Sequence, residues 1–198
     1  PLIIYNYFSK NLKESIINNK NAITLNEDSE LTLINYIYEN SKDNFMMNTM
    51  ENVKINRNAV LKNIFINNSR HNGYFYKHIN SELEKNSSYD NYLLSTGLKF
   101  NKLDLEINHN GDNSKSSIFS ALNLLNDEHQ EIKTRINHNA PNCQSYQKIK
   151  KVLNDHSKGV YQGKIFVKDL AQKTDAYQLS KALILNDNAE FDAKPELE

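Results

Sequence analysis

The feature that most constrains this chain is a nine-residue pattern that returns four times. It occurs as Ile23-Thr-Leu-Asn-Glu-Asp-Ser-Glu-Leu31, Val53-Lys-Ile-Asn-Arg-Asn-Ala-Val-Leu61, Ile165-Phe-Val-Lys-Asp-Leu-Ala-Gln-Lys173 and Leu183-Ile-Leu-Asn-Asp-Asn-Ala-Glu-Phe191. Each copy reads as strand, polar turn, small residue, strand. The small residue (Ser29, Ala59, Ala171, Ala189) falls six places after the first apolar one, where a backbone corner would make a larger side chain collide with the next layer. The third copy departs at its end, with Lys173 in place of an apolar residue. Between the copies, apolar and polar residues alternate with the period of two that marks strands. Leu31–Tyr38, Leu61–Ile66 and Leu103–Ile107 are the clearest runs, and Gly163 before Lys164-Ile-Phe-Val167 marks a bulge or a close backbone approach. Short strands joined by polar turns at this spacing predict an all-β chain wound as a parallel β-helix of eight to ten turns, each burying its inner face on its neighbours.

The turns need a residue that tolerates φ > 0. Glycine numbers only 5 and proline 3, whereas about one residue in six is asparagine. Asparagine adopts left-handed geometry and bonds its own backbone, and identical asparagine turns stack into ladders. Helix competes with strand in three places. Asn11–Lys20 reads as a short helix or irregular lead-in, while Ile118–Leu125 and Tyr146–Leu153 are assigned as strands once the resemblance below is taken into account. Residues 1–198 are expected to form one β-helical unit that is a fragment of a longer protein, because the chain opens on Pro1 and Glu198 follows a strand pattern without a cap.

Lys+Arg and Asp+Glu are both 24, so no long-range field draws the chain to nucleic acid or an anionic membrane. The opening apolar run, Leu2–Tyr5, is far too short to span a bilayer. A single cysteine, Cys143, excludes an internal disulfide framework and suits a reducing, cytoplasmic compartment.

The histidines (His71, His78, His109, His129, His138, His156) and Cys143 are the plausible soft or borderline metal ligands. His138-Asn-Ala-Pro-Asn-Cys143 sets an imidazole and a thiol five residues apart across a turn. No second cysteine completes a four-ligand set, so Cys143 is read as a buried structural thiol and no metal site is assigned. A carbohydrate-active β-helix enzyme is the alternative class. It requires clustered carboxylates, whereas Asp104/Glu106 and Asp187/Glu190/Asp192 read as solvated strand faces and arginine is limited to Arg57, Arg70 and Arg135. Lys148, Lys150, Lys151 and Lys158 likewise read as a solvated basic face. Gly73-Tyr-Phe-Tyr76 reads as aromatics stacked inside the solenoid, with a carbohydrate platform as the sharper alternative. No GxxxxGK[ST] or GxGxxG is present.

Four blocks in order, His138–Cys143, Gly159-Val-Tyr-Gln-Gly-Lys-Ile-Phe-Val167, Ala171-Gln-Lys-Thr-Asp-Ala-Tyr-Gln178 and Lys194-Pro-Glu-Leu-Glu198, resemble the core of the SufD branch of the SufB/SufD family of iron–sulfur cluster assembly proteins. From about Asn21 to Arg135 the resemblance is weaker but collinear. It implies a right-handed parallel β-helix and a non-catalytic scaffold. Its implied partners are SufB, joined through the β-helix, and the SufC ATPase, joined through a C-terminal helical region; without SufB a homodimer is a further expectation. The iron–sulfur cluster belongs to the complex, with no cofactor bound by this stretch alone. The family's Asp-Asp-Val-Lys-Cys-Ser-His-Gly continuation is not among these residues, so its candidate metal ligands match no position here and Cys143 does not occupy that motif. Ser180 stands where the family pattern has asparagine, a departure that bears on turn chemistry. Lys194, Pro195, Glu196 and Leu197 are the expected interface residues, because an open solenoid end leaves unpaired backbone groups for a partner strand.

Overall fold

The computed structural model describes residues 1–8, 12–39, 43–69 and 72–198. Its fourteen strands form two parallel sheets of seven. One contains β1 (Leu2–Phe8), β3 (Glu30–Glu39), β5 (Val60–Ser69), β7 (Ser88–Thr96), β9 (Lys115–Leu124), β11 (Gln144–Leu153) and β13 (Asp175–Ile184), in that order. The other stacks β2 (Ser15–Leu25), β4 (Phe45–Ile55), β6 (Gly73–Leu83), β8 (Phe100–His109), β10 (His129–His138), β12 (Lys158–Val167) and β14 (Glu190–Leu197). The chain alternates between the sheets, so successive layers are consecutive coils of a β-solenoid. Each strand pairs with the one a coil later in an unbroken parallel register, as in His109 with His138 and Ile107 with Ile136. One coil takes about 30 residues, as between Glu27 and Arg57. That length gives about six turns, fewer than the eight to ten expected, because most strands run ten or eleven residues.

Two elementary constraints build each coil. Alternating side chains enter the space between the sheets, where Ile55, Leu61, Leu83, Ile107, Ile136, Ile149 and Leu153 are fully buried. At most of the described corners a residue with positive φ reverses the backbone. Asp28, Asn58, Asn86, Asn113, Asn142 and Lys173 occupy one column of corners; Asn126 and Asp155 lie in the other. Asparagine supplies five of these positions, as the composition requires. The ladder is explicit: Asn86 Nδ2 donates to Asn58 Oδ1 at 3.0 Å and Asn58 Nδ2 to Asp28 Oδ1 at 2.7 Å. The small residue of the nine-residue pattern is buried at Ala59, Ala171 and Ala189. After Ala171 the turn runs on to Thr174, whose hydroxyl donates to the Ala171 carbonyl, so Lys173 lies in the turn and not on a strand.

Three expectations need correction. No helix exists among the described residues. Asn11 lies outside them, and the rest of Asn11–Lys20 runs through a turn into β2, whose backbone is taken up by the ladder with β4 while Ile16 points to solvent. Ser180 is not a turn residue; it pairs with Ile149 inside β13. The aromatics divide between two places. Phe75 packs inside, edge-on to Phe8 and Phe45, whereas Tyr92, Phe119, Tyr146 and Tyr177 form a column on the outer face. Ile118–Leu125 and Tyr146–Leu153 are strand, as assigned, apart from Leu125 at the corner.

Candidate functional site

The corner column between the two sheets gathers the soft ligands. His109 closes β8 and His138 closes β10, both pointing inward because both stand at the buried phase of the alternation. Their ring centroids lie 4.6 Å apart, nearly parallel at 8°. His109 is fixed by two hydroxyls, Ser114 Oγ at 2.7 Å from Nδ1 and Ser116 Oγ at 2.9 Å from Nε2. One coil later Cys143 stands where Ser114 stood and Ser145 where Ser116 stood. His138 Nε2 duly meets Ser145 Oγ at 2.9 Å, but its Nδ1 has no hydrogen-bond partner. Cys143 Sγ lies 3.3 Å from Ser114 Oγ and directs its S–H toward the carbonyls of Gly111 and Pro141. One donor atom from each of His109, His138 and Cys143 falls within 4.8 Å of the other two, and all three residues are buried.

Burial, together with the neighbouring ring, lowers the His109 pKa to about 3; burial alone lowers that of His138 to about 4. Both rings are therefore neutral near pH 7, His109 with each ring nitrogen on a serine hydroxyl and His138 with Nδ1 free of any hydrogen bond.

The sequence placed His138 and Cys143 across one turn and missed His109 as their third companion. The signal was available: Ile107-Asn-His-Asn110 recurs as Ile136-Asn-His-Asn139 one coil later. Of the other histidines, His129 pairs with Glu131 at 3.0 Å, His156 sits exposed on a turn, His78 lines an outer groove, and His71 lies outside the described residues.

That groove, about 370 Å³ on the outer face of the β2–β14 sheet, collects Asp104, Glu106 and Glu196 with Lys133, Arg135, Lys164 and Lys194. Each of its carboxylates has a partner on at least one oxygen, although Asp104 Oδ1 is buried without one. Asp104 accepts from Tyr76 at 2.9 Å, Glu106 from Asn137 at 3.0 Å, and Glu196 faces Lys194 at 2.6 Å. Glu190 and Asp192 hold Lys158 at 2.9 and 3.6 Å. Arg57 pairs with Glu27, and Arg70 lies outside the described residues.

The expected basic face is not one surface. Lys148 and Lys150 point outward from β11, but Lys151 falls on its inward phase. Its Nζ donates to the Val160 carbonyl at 2.7 Å and lies 5.2 Å from the Phe191 ring centre. Burial lowers its pKa to about 7.

Lys194, Pro195, Glu196 and Leu197 all lie in β14, the last strand of its sheet. Glu198 both donates to Ile165 and accepts from Val167, so the same phase of the strand (Glu196, Lys194) faces β12. The opposite phase, Phe191, Ala193, Pro195 and Leu197, turns its backbone to the open edge. Pro195 brings no N–H there, the position at which a strand proline costs no ladder bond. Leu170, Leu183, Leu185 and Leu197 are exposed on this last coil.

Residues 7–198 match the family described as SUF system FeS cluster assembly, SufBD core domain. The chain is 25% identical over 190 residues to an iron–sulfur cluster assembly SufBD family protein of Synechocystis sp., covering 92% of this chain and 40% of that protein. It is 35% identical over 89 residues to the iron–sulfur cluster assembly protein SufD of Escherichia coli, 45% of this chain and 21% of the relative. With the chloroplastic protein ABCI7 of Arabidopsis thaliana it shares 24% identity over 179 residues, 89% of this chain and 38% of that one. The chain thus spans less than half the length of these relatives.

Proposed function

Because the chain belongs to the SufBD core family of the SUF system for iron–sulfur cluster assembly, we propose that it is a SufD-type scaffold subunit, with no reaction centre of its own. It works by joining its β-helix to that of a SufB-type paralogue. The observation that carries this reading is the family match over residues 7–198, borne by a β-solenoid of two parallel sheets. A β-solenoid end offers a straight row of backbone donors and acceptors that a second β-helix can continue.

ATP hydrolysis is assigned to a SufC-type partner, since no phosphate-binding glycine loop occurs in these residues. The iron–sulfur cluster is cargo of the assembled complex. A single cysteine suits a reducing compartment, and no described helix is long and apolar enough to cross a membrane. The engaged carboxylates of the outer groove favour the scaffold over a carbohydrate-active enzyme, which needs a pair of acids at the disposal of substrate.

Native co-purification of the full-length protein tests the reading. Recovery of SufB-type and SufC-type subunits in stoichiometric amounts is expected. Absence of both from the pull-down overturns it.

A further inference from the structure

We propose that His109, His138 and Cys143 form a binding site for one soft metal ion, fitted to monovalent copper. The inference stands on the corner geometry and does not depend on the scaffold reading. Three donors from two adjacent coils already lie within 4.8 Å of one another. Bonds of roughly 2.0–2.3 Å to a central ion put trigonal donors about 3.5–4 Å apart, so a contraction of about an ångström closes the set.

A buried polar atom without a partner is unusual, and His138 Nδ1 is one. The register explains where it points. In the coil below, His109 Nδ1 meets the hydroxyl of Ser114, and Cys143 replaces that serine beside His138. The substitution of a thiol for a hydroxyl leaves the imidazole lone pair facing a sulfur. The outer nitrogens are held by serines, Ser116 on His109 and Ser145 on His138, which orient both rings as hydrogen bonds behind metal-bound imidazoles do.

Donor chemistry and charge choose the ion. One thiolate and two imidazoles select soft or borderline metals. The neighbours hydrogen-bonded to these donors are serine hydroxyls and backbone carbonyls, all neutral. A monovalent ion on a thiolate and two neutral rings gives a site of zero net charge, the arrangement a dry interior tolerates best. A divalent ion leaves one positive charge buried, and zinc additionally asks for a fourth ligand. Binding displaces the Cys143 thiol proton to solvent and takes both Cys143 Sγ and His109 Nδ1 away from the Ser114 hydroxyl. A single sulfur does not suit a cluster, which collects mostly cysteine ligands.

The test is an anaerobic titration of the full-length protein with Cu(I) supplied as its bicinchoninate complex, and separately with Zn(II). The wild type is expected to take up one more Cu(I) per chain than Cys143→Ser, with His109→Gln weakening that uptake at least tenfold. Serine already fills the equivalent corner in the layer below, so Cys143→Ser should keep its β-sheet circular dichroism. Independently of any variant, Cu(I) should block alkylation of the Cys143-containing peptide in the wild type, and equimolar Zn(II) should not. Equal Cu(I) uptake by wild type and Cys143→Ser, alkylation unaffected by Cu(I), or tighter retention of Zn(II) than Cu(I) at this site each overturns the proposal.

Discussion

His138 lies directly over His109, its ring centroid 4.6 Å away and its plane tilted by only 8°. The relationship is a product of the winding, since the two residues are exact register partners on β8 and β10. A solenoid turns a sequence interval of one coil into a van der Waals contact. Chemistry that needs two like side chains face to face then requires nothing more than the same residue at the same phase of consecutive coils.

The stack makes a stability prediction. His109→Ala removes a buried ring, empties the space beneath His138, strands the Ser116 hydroxyl and leaves Ser114 only its contact with Cys143. Cavity and unpaired hydroxyl together are expected to cost about 2–4 kcal/mol. Cys143→Ser should cost under about 1 kcal/mol, because a serine already fits the corresponding corner one coil earlier. Urea denaturation of the two variants beside the wild type measures both.

Gly163 provides a second test. It lies within β12 without interrupting the register, so it marks a close approach and not a bulge. A Cβ there would collide with Tyr161 Oη and Gln178 Oε1. Tyr161 is almost fully buried, bonded to Gln147 Oε1 and Gln178 Oε1 at 3.2 Å each, and has little room to yield. Gly163→Ala is expected to lose about 1–3 kcal/mol by overpacking. If the variant unfolds at the wild-type urea midpoint, the close packing around Tyr161 is wrong.

Much of this was legible beforehand because solenoid corners repeat. Ser29, Ala59, Ala171 and Ala189 announced the corners, and the asparagine excess announced how they turn. The β2 segment was misread since Leu12, Ile16 and Ile17 mimic a helical stripe. Ladder pairing with Phe45–Ile55, thirty residues away, decides its conformation, and no local periodicity carries that information. Lys151 was misread for a related reason. Three lysines in four residues look like a solvated face, but a strand sends every second one inward. The companionship of His109 with Cys143 depends on coil length, which varies slightly from layer to layer and becomes exact only when the strands are paired.

Asn58 isolates the contribution of the corner column. Its φ of 58° suits asparagine and glycine, and its side chain both accepts from Asn86 and donates to Asp28. Asn58→Val is expected to cost about 1–2 kcal/mol through left-handed strain, with the ladder lost in addition. Asn58→Gly should recover the strain while still losing the ladder, and so fall between wild type and valine. Thermal unfolding of the three proteins reads the order directly; valine matching glycine would show that the strained backbone contributes nothing.

Lys151 carries the pH dependence. Burial holds its folded-state pKa at about 7, against an ordinary value of 10.5. Between those limits the unfolded chain binds a proton that the folded chain has released, so stability rises with pH across that window. The penalty for the buried amine is greatest below pH 7, where the folded protein must either keep the charge inside or expose it. Lys151→Met keeps the length of the side chain against Phe191 and removes the ionisable group. It forfeits the bond to the Val160 carbonyl, yet the variant should gain on the wild type at pH 6–7 and lose that advantage by pH 10. The difference between the two urea midpoints as a function of pH isolates Lys151. A difference that stays constant from pH 6 to 10 would place the amine in solvent and not between the sheets.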